Sequence, residues 1–260
     1  MAGKGELMNE TLKSLYERKS VRIFEDRPVP EEIKQSILRA ALEAPTAGNQ
    51  MLYTILDITD PELKVRLAVT CDDQPFIAKA PLVLIFLADC RRWPRLYELA
   101  GETPRAAGPG DLFLAMADAC IAAQNAAVAA ESLGLGSCYI GDILENCEQH
   151  RQMLNLPELL VPACMLVIGY PTEAQKARAK PARFDPRYIV FENRFRDLTD
   201  AELQEMWESR ERLEGKPRAL GFREAVQAFC KRKYLSGFSR EMSRSAQVYL
   251  RDFKGFDPDA

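Results

Sequence analysis

The sequence predicts a layered architecture of helices on a sheet, α/β or α+β, and three observations carry that prediction. Leu82–Ala88 (LVLIFLA) is seven apolar residues in a row, the pattern of a strand buried on both faces. Ala163–Ile168 is a second strand of the same kind. Leu112–Leu133 reads as one helix with no internal Gly or Pro, apolar on nearly every face and carrying nine alanines. Such a helix is buried rather than half-exposed. Alanine keeps it thin, so another backbone can approach closely, in this chain or in a second subunit.

Composition narrows the classes. A chain of 260 residues suits one ordinary domain with an appendage, and 47% hydrophobic with 28% charged residues is a soluble globular balance. The formal charge of -3 gives no reason to expect nucleic acid or an acidic membrane as partner. Asp118, Gln124, Asn125 and Glu131 interrupt the long apolar helix, so no membrane span is expected there. No export signal is read at the N-terminus. The seven cysteines form no CxxC pair and several lie in apolar runs, which points to reduced, buried thiols and a cytoplasmic protein. A single histidine, His150, leaves little for a His-rich metal site or a Ser-His-Asp hydrolase, and no metal is expected. Neither a G-x-G-x-x-G after a strand nor a G-x-x-x-x-G-K-S/T is present, which removes the Rossmann and P-loop readings.

In chain order, residues 1–8 read as a loose start and Asn9 as the cap of a helix, ETLKSLYERK. It exits into Arg18-Lys19-Ser20-Val21-Arg22, either a solvated basic turn or an anion site. In an extended segment Arg18, Ser20 and Arg22 project to one side and can grip a phosphate or polyol. Pro30, Glu31 and Glu32 open a helix with Ile33, Ile37, Leu38 and Ala41 on its inner stripe. It stops at Ala44-Pro45-Thr46-Ala47-Gly48-Asn49-Gln50, a loop of turn formers with ligand contact as the second reading. Leu52–Thr59 is a strand candidate, Pro61–Val69 a short helix and Cys71–Pro75 a turn. Residues 91–110, with three prolines and three glycines, read as a long mobile excursion of the lid or binding-loop kind. Gly134 and Gly136 end the central helix. Ser137–Gly141 (SCYIG) then forms a glycine-flanked extended segment able to present bare backbone amides. A helix at Glu148–Leu154, a basic loop at Thr172–Arg183 and a short strand at Ile189–Phe191 follow. The remainder is helical, Ala201–Glu214 and then Phe222–Phe253 broken near Ser236-Gly237. That last stretch carries seven basic and three acidic residues, a local net of +4.

Four of these segments together, Arg18–Arg22, Ala44–Gln50, Gly134–Gly141 and Ile168-Gly169-Tyr170-Pro171, resemble the FMN-dependent nitroreductase family over roughly residues 10–193. The resemblance implies an α+β fold, a mixed central sheet wrapped by helices, in an intimate homodimer with FMN at the interface. It implies residues 1–194 as the FMN-binding domain, with 195–260 a helical C-terminal extension packing on the core or on the partner subunit. By motif position, Arg18, Lys19, Ser20 and Arg22 match the residues that hold the FMN phosphate, ribityl chain and pyrimidine edge. Pro45, Thr46, Ala47 and Asn49 match the loop that reaches the flavin, partly from the other subunit. Ile140 and Gly141 match the positions whose amides face the ring at N5 and O4, and favour the charge of its reduced form. Gln74 matches the amide contact to the ring, with Asp73 the competing alignment, and Arg183 matches a late phosphate-binding arginine. The chain departs from the family in having Gln50-Met51-Leu52 after its Asn, and in Lys180 standing three residues before Arg183.

The function implied is an oxidoreductase moving a hydride from NADH or NADPH through FMN to a small acceptor, nitroaromatic or quinone-like, in ping-pong fashion. No catalytic side chain is named, because the cofactor carries the chemistry. The alternatives are a flavin-binding or sensing protein with little turnover, and a reductive dehalogenase or flavin-destroying enzyme on the same fold. Neither nucleic acid nor membrane is expected as a partner.

Overall fold

A computed structural model describes residues 8–215 and 220–255. The loose start expected at residues 1–8 therefore lies, except for Met8, outside the described residues. The chain divides into two compact units, Met1–Arg178 with Arg240–Ala260, and Ala179–Ser239. The boundary expected at residue 194 falls inside the second.

The first unit opens with helices α1 (Glu10–Glu17) and α2 (Glu31–Leu42), then strand β1 (Tyr53–Asp57). Helices α3 (Pro61–Thr70) and α4 (Phe76–Lys79) lead to β2 (Leu82–Asp89). Next come α5 (Arg92–Leu99), the long α6 (Pro109–Ser132), β3 (Gly136–Ile140) and α7 (Cys147–Leu154). Strand β4 (Leu160–Gly169) and the short α8 (Glu173–Ala177) complete it. The second unit holds α9 (Asp200–Leu213) and α10 (Phe222–Lys233). Helix α11 (Gly237–Leu250) starts there, and from Arg240 its residues belong to the first unit. Local chemistry sets several of these starts. Asn9 Oδ1 accepts from Leu12 N at 2.9 Å, and Asp60 Oδ1 accepts from Glu62 N at 2.9 Å.

The four strands are antiparallel in the order β1-β2-β4-β3. An isolated parallel bridge joins Ser20 to Ser137 at the free edge of β3. Side chains of a strand alternate between faces, and β2 shows why its sequence does not. Leu82, Leu84 and Phe86 lie in a core with α2 and α6, whereas Val83, Ile85 and Leu87 lie in a second core with α3, α4 and α7. Both faces are covered, so every position must be apolar. On α6, Ala115, Ala119, Ala122, Ala123, Ala126, Ala127 and Ala130 are fully buried. That helix is long and apolar enough to cross a bilayer, but its alanine seam belongs to the buried cores of this fold.

Two expectations are corrected. Residues 91–110 are not an irregular excursion throughout, because α5 forms at Arg92–Leu99. Pro94 sits in its first turn, where a missing N–H breaks no helical hydrogen bond, and Asp89 Oδ1 accepts from Arg91 N and Arg92 N at 3.0 Å. Ile189–Phe191 is not a strand. A 3-10 turn at Pro186–Tyr188 precedes it, and Ile189 N and Val190 N both donate to Pro186 O, at 2.9 and 2.8 Å. Within the second unit, Thr199 and Glu202 form a capping box, and the Arg210 guanidinium lies 4.6 Å from the Phe184 ring and 4.7 Å from Trp207.

Enlarging the alanine seam should be costly. Ala126→Leu is expected to lower the unfolding free energy by about 3 kcal/mol, the upper part of the overpacking range. Urea unfolding followed by circular dichroism checks this, and an unchanged midpoint would contradict the close approach of α6 to its neighbours.

Candidate functional site

The basic segment after α1 lies along the free edge of β3. Ser20 bridges Ser137, Val21 N donates to Ser137 O at 3.0 Å, and Arg18 Nη2 donates to Ser137 Oγ at 3.3 Å. This approach needs Gly136, because a Cβ there would stand 2.4 Å from Val21 Cγ2. Val21 is buried against β3, which turns Ser20 and Arg22 to the other side of the segment. The Arg18 guanidinium lies 5.9 Å from the Tyr139 ring, and its Nε is buried with no hydrogen-bond partner. Lys19 Nζ is already engaged, donating to Lys176 O at 2.6 Å and Arg178 O at 2.5 Å. Arg22 N donates to Gln175 Oε1 at 3.2 Å, and its side chain is exposed.

At the far end of β3, Ile140 is buried and Gly141 exposed, and a Cβ on Gly141 would meet nothing within 4 Å. Gln74 joins this end. Its Nε2 donates to Asp142 Oδ2 at 2.7 Å and to Cys71 O at 2.8 Å. The competing Asp73 is exposed, at φ 48°. Behind the turn, burial and then the neighbouring Asp142 push the Glu145 carboxyl up to about 8. Burial lowers the basicity of His150, whose ring nitrogens meet Ile143 O at 2.9 Å and Thr70 Oγ1 at 2.8 Å. The last helix of the unit pins the corner: Asn146 N donates to Glu241 Oε1 at 3.0 Å and Cys147 N to Ser245 Oγ at 3.1 Å.

The loop 45–49 is organised by one buried carboxylate on α6. Asp118 accepts from Thr46 Oγ1 at 2.5 Å, Ala47 N at 3.1 Å and Leu52 N at 3.2 Å. Those bonds hold a backbone with positive φ at Gly48, Asn49 and Met51, leaving Pro45 and Asn49 exposed. Helix α5 braces the same loop, with Trp93 Nε1 donating to Gln50 O at 2.8 Å and Arg92 Nη1 to Met51 O at 3.2 Å. A cavity of about 410 Å³ lies beside it, lined by Gln50, Leu52, Trp93, Tyr97, Arg105 and Leu114 among others.

The structure thus brings Arg18, Ser20 and Arg22 to one end of β3, and Gln74, Ile140 and Gly141 to the other. Among the described residues no hydrogen bond or ion pair joins the 45–49 loop to either group. Arg183 lies in the second unit, exposed, with Nη1 donating to Pro181 O at 3.2 Å. Sequence reasoning did not single out Ser137, Asp142, Glu145, Arg92 or Trp93. Asp118 appeared only as an interruption of an apolar helix, although an acid amid buried alanines is itself a signal that something must be hydrogen-bonded there.

Residues 15–170 match the model of the nitroreductase family. The chain is 31% identical over 195 residues to an FMN reductase (NADPH) of Bacillus subtilis (strain 168), covering 74% of this chain and 77% of that one. It is 35% identical over 178 residues to a second protein of that strain, FMN reductase [NAD(P)H], covering 67% and 70%. Among solved structures, B. megaterium NfrA2 superposes with a TM-score of 0.80 at 28% identity, covering 96% of this chain and 99% of that one.

Asp118→Ala would strand three donors at once. It is expected to lower stability by about 3 kcal/mol, the scale of hydrogen bonds to a charged group. It should also release amide protons of residues 46–52 to solvent exchange. Hydrogen-exchange mass spectrometry reads both, and unchanged protection in this loop would show that Asp118 does not hold it.

Proposed function

The chain belongs to the nitroreductase family and is an FMN-dependent NAD(P)H oxidoreductase, and on that premise we propose which of its residues hold the cofactor and how they act. The observation that carries the assignment is the strip along β3. Basic donors gather at Ser137, where Arg18 Nε is buried and unpartnered, and Gly141 opens onto free space at the other end. Four residue steps separate the two, about 13 Å at about 3.3 Å per residue, a fit for a ribityl phosphate and the edge of a flat ring.

Arg18, Ser20 and Arg22 bind the phosphate, the ribityl hydroxyls and the pyrimidine edge by charge-assisted hydrogen bonds. Lys19 has one ammonium donor beyond its two carbonyl partners to add to them. Backbone amides of Ile140 and Gly141, with the Gln74 side chain, orient the ring edge. Amides fixed before reaction favour negative charge arriving there at no reorganisation cost. When bound, FMN supplies the redox chemistry, receiving a hydride from NAD(P)H and giving electrons to an acceptor. Arg183 stays a phosphate candidate, to be tested by its own substitution.

The partner is a second copy of this chain. Phe113, Leu114 and Ile121 on α6 are exposed at 68%, 46% and 40%, a large apolar outlay for a free surface. Covering them with the same face of another protomer gives an isologous dimer. Pro45, Thr46, Ala47 and Asn49 then serve the cofactor of the partner subunit, which accounts for a loop held by Asp118 that, among the described residues, makes no bond to its own chain's β3 groups. The acceptors are nitroaromatic or quinone-like small molecules. The cytoplasm suits seven cysteines that are all free.

The purified protein should be yellow, and anaerobic NADH or NADPH should bleach it, the faster nucleotide naming the donor. A yellow protein that neither nucleotide bleaches would favour a binding or sensing role. A colourless protein that FMN cannot reconstitute would sink the assignment. Arg18→Ala should weaken FMN binding at least about tenfold, the worth of one charge-assisted hydrogen bond, as measured by flavin fluorescence.

A further inference from the structure

Gln74 has no freedom in its amide orientation. Both hydrogen bonds from Nε2 end on groups that only accept, the Cys71 carbonyl at 2.8 Å and the Asp142 carboxylate at 2.7 Å. Its two N–H donors are therefore spent, and the group it has left for a ligand is the carbonyl oxygen, Oε1. Its backbone is tied as well, with Gln74 N donating to Ala68 O at 2.8 Å.

Glu145 follows Asp142 across one 3-10 turn, with Glu145 N donating to Asp142 O at 3.0 Å, which sets the two carboxyls beside each other. Two carboxyls can share a hydrogen bond only if one carries a proton. Glu145 is 4% exposed, and its Oε1 has no partner, whereas Asp142 is half-buried and receives the Gln74 amide. The charged form is worse at Glu145, so the proton belongs there. The charged neighbours acting on it are all acids: Asp142 in the same turn, Asp72 after α3 and Glu241 on α11. The Glu241 carboxylate is paired with Arg244, which also pairs with Glu148 of α7. His150 is buried, its basicity is lowered, and both its ring nitrogens are engaged; Cys71 is a buried thiol whose pKa is raised.

We propose that Glu145 is a positioning residue: as a neutral acid it donates to the Asp142 carboxylate, and Asp142 fixes the Gln74 amide so that only its carbonyl oxygen faces the cofactor ring. The ring group that Gln74 recognises is then an N–H rather than a carbonyl. This rests on the reading above that Gln74 stands at the ring edge. Ionising Glu145 sets two carboxylates against each other, displaces Asp142 and frees the amide to turn.

The sign for stability follows. A carboxyl raised above its unfolded value stabilises the fold fully only below that unfolded value, about 4.3. The contribution is lost as pH rises toward about 8, where the folded protein gives up the proton. The apoprotein's thermal midpoint should therefore fall across that window relative to Glu145→Gln, which keeps a donor and cannot ionise.

The deciding experiment measures FMN dissociation constants of the apoprotein between pH 7 and 9, crossing the value of about 8. Wild type is expected to lose about tenfold in affinity relative to Glu145→Gln across the range. Adding Gln74→Ala to each of these two proteins should weaken binding and make their affinity ratio flat with pH, since the effect passes through that amide. Asp142→Asn, which removes the like charge, should erase the step too and serves if Glu145→Gln folds poorly. Parallel pH curves for wild type and Glu145→Gln, or a step that survives in Gln74→Ala, would overturn the proposal while leaving FMN binding intact. Failure of every variant and of wild type to bind FMN would overturn the functional reading itself.

Discussion

The fold depends on how closely α6 can approach its neighbours. Seven fully buried alanines leave that helix little side-chain bulk on the inner face. The sheet and α2 therefore close on backbone and methyl groups, an interior packed to the usual density with almost no side-chain entropy lost. The acid on that face is Asp118, 3% exposed, and it is tolerated because three donors from the 46–52 loop converge on it. A single helix thus sets the sheet position through its methyls and the loop position through its carboxylate. The two cannot drift independently.

The corner between β3 and α7 is built on the opposite plan, from groups far apart in the chain. Asn146 adopts φ 48°, and the amides of Asn146 and Cys147 are satisfied by Glu241 and Ser245 rather than by a local cap. Asn146 Nδ2 reaches Thr70 O at 2.9 Å, and Gln74 reaches Asp142 from the turn after α3. Side chains of α11 and the segment after α3 therefore meet at the same few residues that follow Gly141. Preorganised backbone donors are useful only if something stiff holds them, and this lattice of bonds is what is stiff here.

Much of this was legible in the sequence, and for definite reasons. Strand β2, strand β4 and α6 announce themselves by uninterrupted apolar composition, which burial on both faces demands. Gly136 is explained by Val21 standing where its Cβ would be, and the Arg18–Arg22 motif does run beside β3. Helix α5 was hidden because proline reads as a breaker unless its place in the first turn is known. Asp118 and Ser245 were hidden for another reason. Their partners lie outside any local pattern, as with Asp118 and Thr46 at 72 residues, and a bond of that span leaves no periodicity to read. The groups chosen for FMN rest on motif order, and the geometry adds the one thing motif order lacks, namely which donors are already occupied.

The return of α11 also has a bearing on when the protein becomes competent. Glu241 caps a residue 95 positions earlier, and Ser245 one 98 positions earlier. At ribosomal speeds of about 10 residues per second, the corner after Gly141 exists for about 10 s before its caps are made. Until then the amides of Asn146 and Cys147 lack the side chains that cap them. The edge after Gly141 is therefore secured by partners that are added late to the chain.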